Sequence, residues 1–97
     1  MRHEIFLSPQ TLADFKRLPA RIRAELRDQI ELHLRHEPMK GSRSRIRRLR
    51  GLRRPQFRLR VGEIRVFYDV VEAEVHILTI VTKEQADAWL RTSGVPE

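Results

Sequence analysis

The sequence predicts a single α+β domain spanning residues 1–97, with helices packed on one face of an antiparallel sheet. Apolar residues recur at helical spacing along 22–34, whereas they alternate with arginine along 57–61. A third segment, 75–81, is almost continuously apolar, as expected for a buried strand. This order of strand, helices, several strands and a final helix is typical of the α+β class, and the length suits one domain.

The N-terminal segment is expected to form a short strand followed by a helix. Ile5 to Leu7 is apolar, and Ser8 then Pro9 supply a helix cap and a proline suited to the first turn. Leu12, Phe15 and Leu18 follow at intervals of three residues and are predicted to form the apolar stripe of this first helix.

A second helix is predicted to begin at Pro19 and to pair with the first as an antiparallel hairpin. Its apolar face consists of Ile22, Leu26, Ile30 and Leu34, and its other positions are polar or charged. Such a helix covers a sheet on one side only, so the opposite sheet face is expected to be open. Residues 36–44 then form a loop that contains Pro38 and Gly41.

The second half of the chain predicts a three- to four-stranded antiparallel sheet and a short C-terminal helix. Gly62 and Glu63 form a tight turn between two alternating strands. The expected elements are, in order, a strand over 46–50, a turn over 51–55, strands over 57–61 and 64–68, a strand over 75–81 and a helix over 83–91.

Positive charge is concentrated in one block of the sequence. Residues 40–65 hold eleven of the twenty Lys and Arg residues but one acid, Glu63, which gives +10. The rest of the chain has nine bases against twelve acids, or −3. A block of this kind predicts a polyanionic partner such as nucleic acid, and the simpler alternative is a solvated face that confers solubility.

Strand alternation predicts where the central arginines of this block point. Phe57, Leu59 and Val61 go to one face of their strand, so Arg58 and Arg60 stand together on the other. Arg65 joins them if the two strands pair as a hairpin. Guanidinium groups bind phosphate oxygens in pairs and keep their charge, so this face suits phosphate binding. The alternative is that Glu63 or Asp69 neutralises the arginines.

Several classes of protein are disfavoured by the composition. The chain has no cysteine, so it can form neither a disulfide framework nor a thiolate metal site. His33 and His36 lie three residues apart, but no third metal ligand accompanies them, and we predict neither metal nor cofactor. No signal peptide and no membrane span is apparent, so a cytoplasmic protein without a membrane partner is expected.

The order and spacing of three motifs resemble the RelE/ParE toxins over nearly the whole chain. Leu49-Arg50-Gly51 is followed by Phe57-Arg58-Leu59-Arg60-Val61-Gly62 and then by Ile64-Arg65-Val66-Phe67-Tyr68, all after a helical hairpin. The resemblance implies a RelE-like, microbial-RNase-like fold and a toxin of a type II toxin–antitoxin system. Some members of this superfamily cut mRNA in the ribosomal A site, whereas others poison DNA gyrase.

The ribosome-dependent branch of the family implies roles for particular residues. By similarity, Arg58 and Arg60 flank the site, Arg65 contacts the scissile phosphate, and Lys83 transfers a proton. The chain departs from that branch in lacking a tyrosine near its C-terminus, where Trp89 either stacks on a base or packs the last helix. Its one tyrosine, Tyr68, is expected to be structural. The predicted RNA-binding residues are Arg43, Arg45, Arg47, Arg48, Arg50, Arg53, Arg54 and Trp89.

Three functions follow as hypotheses from the charge and the resemblance. The first is a ribosome-dependent mRNA endonuclease, in which the ribose 2′-hydroxyl attacks the adjacent phosphate. The second is a gyrase inhibitor, and the third is a non-catalytic module that binds antitoxin or nucleic acid. In each case an acidic antitoxin segment is expected to cover the basic face, giving a toxin–antitoxin hetero-oligomer.

Overall fold

Two helices cover one face of a five-stranded sheet in the computed structural model, which describes residues 1–97. A third helix lies against the other face, and a pair of very short strands forms a separate ribbon. The elements are β1 Glu4–Leu7, α1 Pro9–Lys16, α2 Ala20–Leu34, β2 Ile46–Arg48, β3 Leu52–Arg54, β4 Phe57–Val61, β5 Ile64–Val71, β6 Glu74–Thr82, α3 Lys83–Ser93 and β7 Val95–Pro96.

The main sheet has the strand order β1-β6-β5-β4-β2. Strands β2, β4, β5 and β6 are antiparallel, as predicted, and β1 adds an edge strand that runs parallel to β6. The β4–β5 hairpin turns at Gly62 and Glu63 and pairs Phe57 with Tyr68 and Arg60 with Arg65. The predicted face of alternating arginines is therefore carried by a regularly paired hairpin within the sheet.

Side-chain caps explain where two of the helices begin. The Ser8 hydroxyl accepts a hydrogen bond from the Thr11 amide at 3.2 Å, and Pro9 occupies the first turn of α1. Thr82 caps α3 in the same way, and the Gln85 side-chain oxygen in turn accepts a hydrogen bond from the Thr82 backbone amide. These starts match the predicted helices over 9 onward and 83 onward.

The hydrophobic core lies between α2 and the adjacent sheet face. Leu26 and Leu34 of α2 are fully buried against Leu59 and Tyr68 of the sheet. The Tyr68 hydroxyl donates a hydrogen bond to the Pro38 carbonyl at 2.6 Å, which anchors the 36–44 loop to the core. Burial raises the pKa of Tyr68, so its proton is retained for that bond. The structure thus gives Tyr68 the structural role expected of it.

Three expectations about the fold are wrong in detail. The segment 51–55 turns at Gly51, where φ is +76°, but it continues as β3, which pairs with β7. In α1, Thr11 is buried and Leu12 is 41% exposed, because the Thr11 hydroxyl hydrogen-bonds to Ser8 and to the Leu78 carbonyl. The second sheet face is not open, since α3 packs on part of it.

None of the three helices combines the length and the hydrophobicity required to cross a lipid bilayer.

Candidate active site

A cleft of about 340 Å³ lies on the sheet face opposite α1 and α2, where α3 passes over β5. Four cationic side chains and one carboxylate contribute to its wall, together with a small apolar floor. The lining residues are Arg47, Leu49, Arg58, Arg65, Phe67, Lys83, Ala86, Asp87 and Leu90. This composition gives the cleft a strongly positive character.

Strand register brings the arginines of the cleft together. Arg47 of β2 is paired with Arg58 of β4, and Arg58 is paired with Phe67 of β5. Directly paired residues on antiparallel strands have Cβ atoms about 5 Å apart on the same face. Like charges at this spacing repel one another, so the arrangement is destabilising unless an anion lies among them.

Arg58 is the least satisfied of these side chains. Its Nε atom is buried and has no hydrogen-bond partner. Desolvation lowers the pKa of Arg58, and the charges of Arg65, Arg47 and Arg60 lower it further. A buried N–H without an acceptor costs free energy, and a phosphate oxygen entering the cleft would supply that acceptor.

Arg65 is held in a defined orientation by the hairpin turn. Its side chain is largely buried, and Nη1 donates to the carbonyl oxygens of Gly62 at 2.8 Å and Ile64 at 3.1 Å. The Nε and Nη2 donors of Arg65 form no hydrogen bond within the protein. A guanidinium fixed on one side and free on the other is suited to grip a phosphate oxygen.

No carboxylate neutralises the predicted arginine face. The five ion pairs in the structure include none of Arg58, Arg60 and Arg65. Asp69 instead accepts hydrogen bonds from Arg54 Nε at 2.9 Å and from the Gln56 amide at 2.8 Å. The alternative in which Glu63 or Asp69 pairs with these arginines is therefore wrong.

Most of the chain that forms this cleft matches a known protein family. Residues 5–87 match the family model described as the ParE toxin of the type II toxin–antitoxin system parDE. The chain belongs to this toxin family. Comparison with curated proteins gives no match.

Solved structures of RelE toxins have the same fold as this toxin. It resembles the RelBE2 toxin–antitoxin complex of Mycobacterium tuberculosis at 25% identity and a TM-score of 0.60, covering 84% of this chain and 99% of that one. A double mutant of the E. coli toxin RelE in the free state gives 17% identity and a TM-score of 0.69, with 92% of each chain covered. The archaeal RelE–RelB complex of Pyrococcus horikoshii gives 25% identity and a TM-score of 0.62, covering 86% of this chain and 97% of that one. The RelE/ParE resemblance and the α+β fold are both confirmed.

Three of the four predicted catalytic residues of the toxin share the cleft. Arg58 and Arg65 come from the hairpin, and Lys83 comes from the first turn of α3. The Lys83 amide donates to the Glu63 carbonyl at 2.8 Å, which ties the helix start to the hairpin turn. Arg60 lies opposite Arg65 in the sheet but is exposed and lies outside the cleft wall.

Five of the seven predicted RNA-binding arginines of the toxin form no hydrogen bond or ion pair through their side chains, and they fall into two groups. Arg47, Arg48 and Arg50 line a shallow concavity of about 480 Å³ that adjoins the cleft through Arg47 and Leu49. Arg43 and Arg53 are exposed and form no hydrogen bond or ion pair, so their guanidinium groups are available to a partner.

The remaining predicted RNA contacts already have partners within the toxin. Arg45 donates to the Gln29 side chain at 2.9 Å, and Arg54 is the partner of Asp69. Trp89 is half-buried and stacks on Phe67, with ring centroids 5.3 Å apart and planes 5° apart. One face of the indole therefore packs α3 onto the sheet.

Asp87 is the cleft residue that the sequence reasoning missed. It lies four residues after Lys83, and this spacing places two residues on the same side of a helix. The spacing was therefore the available signal. It was obscured because Glu84 and Asp87 look alike in the sequence until the side of α3 that faces the sheet is known.

Proposed function

We propose that this toxin is an endoribonuclease that cleaves mRNA on the ribosome and that its cleft holds the scissile phosphate. The observation that carries the proposal is the buried, unpartnered Nε of Arg58, which lies beside Arg47 and Arg65 with no carboxylate paired to any of them. A phosphate bound by two hydrogen bonds from one guanidinium, a bidentate contact, would satisfy that donor and relieve the repulsion among the arginines.

The reaction that fits the cleft is phosphoryl transfer within the RNA strand. The ribose 2′-hydroxyl is an internal nucleophile that attacks the adjacent phosphate and displaces the 5′ oxygen of the next nucleotide. Charge accumulates on the phosphate oxygens in the transition state, where Arg58 and Arg65 would stabilise it. Fixed donors are effective in this role because they do not reorganise during the reaction, and Arg65 is anchored by two backbone carbonyls.

The concavity next to the cleft extends the proposed contact with nucleic acid. Arg47, Arg48 and Arg50 would bind phosphates beside the cleaved one, and Arg43 and Arg53 would contact ribosomal RNA. Each phosphate contact releases counterions, so binding should weaken steeply with salt. A ribosome would supply the large anionic surface that so many arginines require.

An antitoxin is the second proposed partner. The M. tuberculosis and P. horikoshii structures are toxin–antitoxin complexes. We propose that an acidic antitoxin segment covers the basic cleft of this toxin and forms a hetero-oligomer with it in the cytoplasm. Covering the cleft would neutralise the clustered charge and exclude RNA.

Primer extension on mRNA after induction tests the ribonuclease proposal. Wild-type toxin is expected to give cuts within codons at the A site, and Arg65→Ala should reduce them about 100-fold through loss of one transition-state contact. Arg21→Ala removes an exposed arginine of α2, on the other side of the sheet from the cleft, and serves as the matched control, with cutting preserved. Circular dichroism of both variants checks folding, and undiminished cutting by folded Arg65→Ala would contradict the assigned site.

A gyrase inhibitor is the second candidate function. The matching family model is that of ParE, and the one tryptophan is stacked on Phe67 rather than presented to the cleft. Induction of a DNA-damage response with intact mRNA would favour this candidate. Harmless overexpression would instead indicate a non-catalytic binding module.

A further inference from the structure

Proton transfer is the part of the reaction that the arginines of the cleft leave unassigned. Attack by the 2′-hydroxyl requires a group that accepts a proton, and guanidinium and ammonium groups offer only donors. No histidine lines the cleft, and Tyr68 is buried on the opposite sheet face. Asp87 is the one residue of the cleft wall whose side chain has free acceptor oxygens.

The Asp87 carboxylate is available for this task. Asp14 and Asp69 are each bound to an arginine, whereas Asp87 forms no hydrogen bond or ion pair within the protein. It lies one helical turn beyond Lys83, and both residues belong to the cleft wall. A proton acceptor and a proton donor thus face the same space from neighbouring turns of α3.

We infer that Asp87 is the general base of the cleft and that Lys83 is its general acid. The inference rests on the proposed ribonuclease function. Asp87 takes the proton of the 2′-hydroxyl as the bond from O2′ to phosphorus forms. The bond from phosphorus to O5′ then breaks, its electron pair remains on O5′, and Lys83 Nζ gives that oxygen a proton. The products are a 2′,3′-cyclic phosphate and a 5′-hydroxyl.

Single-turnover cleavage on ribosomes programmed with a defined mRNA tests the base. Asp87→Asn keeps the size of the side chain but removes the proton acceptor, so the rate should fall at least about 100-fold. The acidic limb of the pH–rate profile, which reports protonation of the base, should disappear with it.

Glu84→Gln provides the matched control for charge. Glu84 lies in the first turn of α3 but outside the cleft wall, so this variant removes one negative charge from the same helix. It should cleave within about twofold of wild type, since exposed charges away from the reaction contribute little. An equal loss in both variants would assign the effect to overall charge and overturn the inference.

A substrate with sulfur in place of the 5′ bridging oxygen separates the two proton-transfer roles. A thiolate leaves without protonation, so this substrate should restore most of the rate that Lys83→Met loses on ordinary RNA. The Asp87→Asn variant should stay slow on both substrates, because the 2′-hydroxyl still needs its base. Rescue of Asp87→Asn by sulfur would overturn the assignment.

The outcomes distinguish the inference from the proposed function on which it rests. Wild-type toxin that leaves programmed mRNA intact would overturn both the ribonuclease proposal and the role of Asp87. Wild-type toxin that cleaves, with Asp87→Asn equally fast, would overturn the role of Asp87 alone. Thermal melts of each variant exclude unfolding as the cause of a lost rate.

Discussion

The two faces of the β4–β5 hairpin come from the same strands but have opposite energetic characters. On one face, Leu59 and Tyr68 are fully buried in an apolar core beneath α2. On the other, Arg58 and Arg65 are partly or largely desolvated without a carboxylate partner. The first face stabilises the folded chain, whereas the second lowers its stability. A fold tolerates such a face when the unneutralised charge serves to bind something.

The largest effect on stability is expected from breaking the apolar face. Leu59→Ala removes a fully buried side chain from the centre of the core. The lost transfer energy and the cavity should lower the free energy of unfolding by about 2–5 kcal/mol, measured by urea denaturation. Leu32→Ala, at a position that is 69% exposed, is the control and should change it by less than about 0.5 kcal/mol. Equal losses of unfolding free energy in the two variants would show that Leu59 does not belong to the core.

The arginine face should respond in the opposite direction. Arg58→Met keeps most of the side-chain volume and removes a desolvated charge, so the free energy of unfolding should rise by about 1 kcal/mol. RNA cleavage should meanwhile fall about 100-fold. Urea denaturation and primer extension measure the two changes. Arg21→Met, at an exposed position of α2, should alter neither.

A gain in stability coupled to a loss of activity would separate a functional charge from a structural one. If Arg58→Met destabilised the toxin as Leu59→Ala does, Arg58 would have a structural role, and the contrast between the two faces would fail.

The smallest effect concerns a titrating group on the flank of the apolar face. His33 Nε2 lies 3.1 Å from the Gln29 side-chain oxygen, and burial followed by the Arg45 charge lowers the pKa of His33. The unfolded chain therefore takes up the proton first as pH falls below about 6.5, so the folded state loses stability there. His33→Gln should reduce this loss.

Urea midpoints at pH 7.5 and pH 5 measure that difference. Leu32 is exposed on the same helix and does not titrate, so Leu32→Ala is the control and should leave the pH dependence of the midpoint as it is in wild type. A pH dependence that His33→Gln leaves unaltered would mean that other groups cause it.

Local patterns predicted the parts of the fold that local physics determines. The alternation in β4 correctly separated Leu59 from Arg58, and the Ser8-Pro9 pair correctly located the start of α1. The α2 stripe identified Leu26, Ile30 and Leu34 as core residues. In each case the information lies within a few residues, so one short segment suffices for the prediction.

Pairings between distant segments could not be predicted in this way. β3 has three residues, and its partner β7 lies about forty positions further along the chain, so the segment from Gly51 to Pro55 looked like a simple turn. In the sequence, Arg54 also looked as available for RNA binding as the arginines next to it. Asp69, fifteen residues later, engages it, so its guanidinium already has a partner within the protein.

The residues that line the candidate cleft were predicted where strand alternation sufficed and were missed where the placement of a helix was needed. Arg58 and Arg65 meet because strand geometry requires it, and the position of Lys83 followed from the resemblance. Asp87 depended on which side of α3 faces the sheet, and the stacking of Trp89 on Phe67 determines that rotation.

The same stack gives the toxin an intrinsic optical reporter. Trp89 is the single tryptophan of the chain, and its ring lies on Phe67, which belongs to the cleft wall. Indole emission depends on the polarity around the ring, so a partner that covers the cleft or enters it would alter the colour and intensity of the fluorescence. Both events can thus be followed in solution without attaching a dye.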